Sequence, residues 1–114
     1  MHELSIALSI VELAEEECAR LGGHVAAVHV RVGRLSGVVR HALLASYEMA
    51  CEDTALAGSR LVIEDVPVVA QCVMCNARVS IRSIQDMCCD VCGTPANEIV
   101  EGRELLVTGL EMDA

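Results

Sequence analysis

Cys72-Val73-Met74-Cys75 and Cys89-Asp90-Val91-Cys92 set how this chain folds, and the rest of the sequence is read outward from them. The two Cys-x-x-Cys pairs are separated by residues 76–88, a spacing that wraps four thiolates tetrahedrally around one Zn²⁺. Asn76 and Gly93 follow the pairs, and both residue types tolerate positive φ. Each lets the chain turn back under a metal with backbone N–H groups aimed at sulfur. Metal binding of this kind is worth on the order of 10–16 kcal/mol near neutral pH. That would order residues 68–102, a stretch too small to hold itself together by an apolar core alone. A redox Cys-x-x-Cys needs only one pair and a thioredoxin-like strand-to-helix setting, which neither pair has. Four thiolates also suit iron as in a rubredoxin, so zinc as a structural ion is the expectation and iron the competitor.

Four thiolates and one divalent cation would move the formal charge of −9 to −11, with Arg78 and Arg82 between the pairs as partial compensation. Cys88 adjoins the second pair but has Val91 three residues on, so it reads as a bystander thiol. Cys18 and Cys51 fall in helical patterns and read as small buried apolar residues.

The chain has 114 residues, which excludes a large multidomain enzyme. It is 54% hydrophobic, which excludes disorder, yet it holds one aromatic residue, Tyr47. Its core must therefore come from Leu, Val, Ile, Ala and Met. Seventeen acids face eight arginines, a balance that would repel a phosphate backbone. With almost no aromatic side chain for stacking, no nucleic-acid partner is expected. No positive residue precedes the apolar run from Leu4 to Ala14, and Glu12 interrupts it, so it is read as no export signal. No apolar run reaches the roughly 18 residues a membrane span needs. A cytoplasmic protein is expected, and in a reducing compartment dense cysteine points to metal rather than disulfides.

Upstream of the cysteines, Leu4, Ala7, Val11, Ala14, Cys18 and Leu21 recur at three-and-four spacing, which predicts a helix over 3–21 ended by Gly22 and Gly23. Alternation at Val28, Val30 and Val32 predicts a strand. Residues 33–37 read as a turn, with Ser36 as cap for a second helix over 39–52 that places Leu43, Tyr47 and Ala50 inward. Residues 60–66 and 104–112 read as two further strands, the second weakened at Gly109. The expected fold is α+β: two helices on a small three-stranded mixed sheet, residues 1–67 plus 103–114, with an inserted zinc-ribbon-like four-cysteine module over 68–102. Strand order is not legible in this pattern.

At the other end of the chain, His2 places an imidazole beside the α-amine of Met1 and the amides of His2 and Glu3. Four such nitrogens suit Ni²⁺ or Cu²⁺ in planar or tetragonal geometry, although on its own a Met-His start reads first as incidental. Glu3 also reads as a first-turn acid favourable to the helix dipole.

With both motifs placed, the chain resembles the hydrogenase-maturation nickel metallochaperone family HypA/HybF nearly end to end. The resemblance rests on Met1-His2-Glu3-Leu4-Ser5, on Val32-Gly33-Arg34-Leu35-Ser36-Gly37-Val38, and on Ile63-Glu64-Asp65-Val66-Pro67. Both cysteine pairs and Gly102-Arg103-Glu104-Leu105 complete it. It implies no catalysis, but Ni(II) bound through the Met1 backbone amine, the following amides and His2, with Glu3 a contributor. It further implies structural Zn(II) at Cys72, Cys75, Cys89 and Cys92, and delivery of nickel to the large subunit of a [NiFe] hydrogenase together with a HypB-type GTPase. Some relatives also supply urease. Three departures stand out: Arg40 and His41 where relatives more often carry Pro and an acid, Asp90 in place of a proline, and the additional Cys88. The competing reading is a zinc-ribbon adaptor between proteins that never carries nickel. A small redox protein is a second competitor.

Overall fold

The structure, a computed structural model of the chain, describes residues 2–83, 85–96 and 98–113. Along the chain run α1 (Glu3–Leu21), β1 (His24–Gly33), α2 (Arg40–Cys51), β2 (Arg60–Val66), β3 (Val69–Cys72), β4 (Ala77–Ser80), β5 (Glu98–Glu101) and β6 (Leu105–Asp113). They form two compact units, one of residues 1–31, 37–64 and 106–114, the other of 32–36 and 65–105.

The first unit carries both helices and a mixed three-stranded sheet in the order β2-β1-β6, the expected α+β arrangement. Val25, Val28 and Val30 of β1 are buried, as are Leu43, Tyr47 and Ala50 of α2. Between the valines, His29 and Arg31 are partly exposed and pair with Glu111 at 2.8 Å and Glu64 at 3.1 Å. Alternation in β1 thus sorts apolar from charged side chains as a half-buried strand requires.

On α1 the buried stripe differs from the expected one. Ala7, Ile10, Val11 and Ala14 are covered, whereas Leu4 and Leu21 at the helix ends are 43% and 56% exposed. Three-and-four spacing fixes a face, but the length of that face that meets a neighbour is set by packing. Gly22 ends the helix at φ 75°, its N–H donating to the Cys18 carbonyl at 2.9 Å. Cys18 itself is half-buried, its thiol 3.2 Å from the Gly23 carbonyl, while Cys51 is buried as expected.

The second unit has more internal structure than its length suggested. Strands β4-β3-β5 form a second sheet, with both neighbours antiparallel to β3. Val68, Ala70, Ile81 and Ala96 make a small apolar core beneath it, joined by Leu35, Met87 and Ile99. A metal is therefore not the sole organiser of this segment. The turn after β1 is part of the same unit. Its Gly33 N–H donates to the Glu104 carbonyl at 2.7 Å, Arg34 N–H to Val66 at 3.1 Å and Leu35 N–H to Gly102 at 2.7 Å.

Candidate metal centre

Cys72 ends β3, Cys75 lies in the turn to β4, and Cys89 and Cys92 flank a second turn ahead of β5. Antiparallel pairing of β3 with β4 places Cys72 opposite Ala77, so the chain must reverse over residues 73–76. Asn76 makes that reversal at φ 51°, and Gly93 makes the equivalent one at φ 76°. The two positions singled out for positive φ thus adopt it. In the second turn Cys89 N–H donates to Thr94 O at 2.8 Å, and Gly93 N–H to Cys89 O at 2.9 Å.

These turns bring four sulfurs within 4.8 Å of one another. Cys72 Sγ lies 3.6 Å from Cys92 Sγ, and Cys75 Sγ 3.8 Å from Cys89 Sγ. A tetrahedron with Zn–S bonds of about 2.3 Å has sulfur–sulfur edges of about 3.8 Å, so the cluster has the size a zinc ion requires. Backbone N–H groups point at sulfur as well. Cys75 N–H donates to Cys72 Sγ at 3.4 Å, and the N–H groups of Val91 and Cys92 to Cys89 Sγ at 3.4 and 3.5 Å. Such donors stabilise thiolate over thiol.

Four adjacent thiols cannot all ionise without a cation between them, and they divide their protons unevenly. Hydrogen bonds from the Thr94 hydroxyl and backbone hold Cys92 down to about 6. Hydrogen bonds with Cys92, Cys72 and Cys89 push Cys75 up to about 12. Cys72 and Cys89 are buried, Cys75 is partly covered and Cys92 is exposed, which leaves one side of the cluster open for metal entry. Cys88 contributes no sulfur to this group. Hydrogen bonding with Asp86 raises its pKa and keeps it a neutral thiol.

The other candidate ligands lie in the first unit. Met1 is outside the described residues. His2 is exposed at the N-cap of α1, and its side chain does not cap the helix, although its carbonyl accepts the Ile6 N–H at 3.2 Å. Glu3 opens the helix and is half-buried. The amides of a helix start lack intrahelical acceptors, so those of His2 and Glu3 are not held in the helical ladder.

One role went unread in the sequence. Ser36 does not cap α2, whose N-cap is Val39 and makes no side-chain cap bond. Instead Val39 N–H donates to Glu3 Oε2 of α1 at 3.3 Å. The first-turn acid of one helix serves the start of the other, a contact between residues 36 positions apart that no local pattern signals.

A recess of about 510 Å³ beside α2, lined by Tyr47, Glu48, Cys51 and Ser59 among others, contains none of these candidate ligands. No described helix is long and apolar enough to cross a membrane.

Over residues 1–112 the chain matches the family described as hydrogenase/urease nickel incorporation, metallochaperone, hypA. It is 47% identical over 112 residues to the hydrogenase maturation factor HypA of Chloroflexus aurantiacus, covering 97% of this chain and 98% of that one. It is 45% identical to the same factor of a Roseiflexus species, covering 99% and 93%. Among solved structures it resembles the solution structure of the Ni metallochaperone HypA from Helicobacter pylori. The TM-score there is 0.66 at 25% identity, over 98% of this chain and 97% of that chain.

Proposed function

Because the chain belongs to the HypA family of nickel-incorporation metallochaperones, we propose that it binds Ni(II) at Met1, His2 and Glu3 and delivers it for maturation of a [NiFe] hydrogenase. The family is one of maturation factors, so the protein carries a metal and is not an enzyme.

The observation that carries the nickel site is the exposed position of His2 immediately ahead of α1. A nickel site that would use the Met1 amine, the His2 and Glu3 amides and the His2 imidazole needs amide nitrogens that can lose their protons. At this position they do so without breaking a helical hydrogen bond. The site is also open, so nickel can pass to an acceptor without unfolding the carrier.

Cys72, Cys75, Cys89 and Cys92 hold Zn(II) in this reading, on the strength of their sulfur spacing and N–H donors. Zinc supplies a redox-inert crosslink, and the chain's own residues supply the turns and the charge balance around it. The partners are the hydrogenase large subunit and a HypB-type GTPase in the cytoplasm, with urease maturation proteins as alternative clients of the same cargo.

His2→Ala tests the proposal against a zinc-ribbon adaptor. Equilibrium dialysis followed by metal analysis should show stoichiometric nickel lost and about one zinc per chain retained. Undiminished nickel uptake would favour the adaptor.

A further inference from the structure

Helix α2 begins without the groups that usually open a helix. Val39 at its N-cap has no side-chain oxygen, its first turn holds no acid, and Arg40 puts a positive charge where the helix dipole disfavours one. Ser36 is not used as the cap, as described above. The acceptor that the Val39 N–H requires comes from α1, as Glu3 Oε2. Val39 is also the residue whose carbonyl takes the first hydrogen bond of α2, from Leu43 N–H at 2.9 Å. The Glu3 carboxylate therefore lies at the point where the second helix starts.

We propose that Glu3 is a positioning residue, whose carboxylate ties the nickel-binding end of α1 to the start of α2 and does not itself ligate the metal. The inference rests on the nickel site proposed above and assigns its acidic member a specific task. In the proposed site Glu3 would bind nickel through its amide nitrogen, while its side chain accepts the Val39 N–H. With residue 3 anchored, the backbone ahead of it has fewer conformations to lose when the amine, amides and imidazole close around the ion. The same link reports in the other direction. Reorientation of the Glu3 amide on nickel loading pulls on the Val39 hydrogen bond, so the start of α2 registers whether the terminus is occupied.

The test uses the full-length, zinc-loaded protein with Glu3→Gln, which keeps an acceptor, and Glu3→Ala, which keeps none. Nickel affinity is measured by competition with a chromophoric chelator, and the Val39 amide is followed by NMR. Glu3→Gln should stay within roughly threefold of the parent affinity, since a neutral acceptor replaces a charged one. Glu3→Ala should lose about tenfold, the scale of one backbone residue regaining its freedom. The Val39 amide resonance should already be displaced in Glu3→Ala without nickel.

A third variant, Glu3→Ala with Val39→Ser, gives α2 a cap of its own. It should recover thermal stability while nickel affinity stays low. Equal loss in Glu3→Gln and Glu3→Ala would make the carboxylate a ligand and overturn the proposal. So would unchanged affinity in Glu3→Ala, or recovery of both properties in the double variant. Nickel uptake that survives His2→Ala would instead remove the nickel site, and the positioning role with it. The His2→Ala measurement therefore separates these two failures, and the Val39 displacement, measured without metal, checks the Glu3 link itself.

Discussion

A methyl group on Gly33 would collide with the carbonyl carbon and oxygen of Gly102, backbone atoms that no rotamer change can move. The missing side chain of Gly33 lets the turn after β1 lie directly against the strand end that precedes β6, where Gly33 N–H and Leu35 N–H find their acceptors. Gly33→Ala should cost on the order of 3 kcal/mol, as expected when a backbone contact is forced apart and its hydrogen bonds stretched. Chemical denaturation measures this, and an unaltered midpoint would show that the close approach is not required. The sequence marked residues 33–37 as a turn but held no sign of a close backbone approach, because a glycine reads the same whether it serves curvature or proximity.

Tyr47 was legible as an inward residue from its spacing with Leu43 and Ala50, and it is 2% exposed. Its hydrogen-bond partner was not legible. Ser59 Oγ lies 2.7 Å from the phenol and donates its own proton to Leu56 O at 2.6 Å, so the phenol must donate to Ser59. Burial, chiefly, pushes the Tyr47 pKa well above its ordinary value of 10. An acid whose pKa is raised by folding contributes stability that is complete below its unfolded pKa and is lost as pH rises through the folded one. Ultraviolet titration of this single tyrosine should therefore show ionisation delayed beyond the usual phenol range and accompanied by unfolding. Titration near pH 10 with the fold intact would contradict the placement.

Among the elements, those long enough to show a period were readable and the short ones were not. The nineteen residues of α1 and the ten of β1 carry several repeats of their patterns. Strands β3, β4 and β5 have four residues each, too few to separate alternation from chance, so the second sheet went unread. The cysteines within and beside these strands were legible because metal ligation depends on spacing along the chain. Asn76 and Gly93 were legible for a related reason, since tight turns select residues that accept positive φ. In the proposed reading zinc shares the ordering of this unit with the small core of Val68, Ala70, Ile81 and Ala96. Chelation of the metal should accelerate hydrogen exchange across β3, β4 and β5 while leaving the buried amides of α1 protected. Exchange in the second sheet that is indifferent to the chelator would mean that the apolar core suffices.

For the whole molecule, two metals of different chemistry are assigned to two different settings. The proposed structural ion lies among three cysteines that are buried or partly covered and one, Cys92, that is exposed. The proposed cargo site centres instead on the exposed His2, which leaves a path for transfer. A formal charge of −9 suits a cation carrier, since it raises the local concentration of divalent ions without requiring a closed cage. The nickel assignment came from the resemblance of Met1-His2-Glu3 rather than from any fold-level pattern, because three residues at a chain end carry no periodicity. The link from Glu3 to Val39 was hidden for the same reason that most tertiary contacts are: it joins residues far apart in sequence.

In the proposed site the first nitrogens of the chain hold the transferable ion independently of the four cysteines. Metal analysis of the protein beginning at Met1, set beside a version extended by a few residues, tests it most directly, because extension converts the amine into an amide. Nickel should be lost from the extended chain while zinc stays near one per chain. Full nickel occupancy in the extended chain would contradict the account.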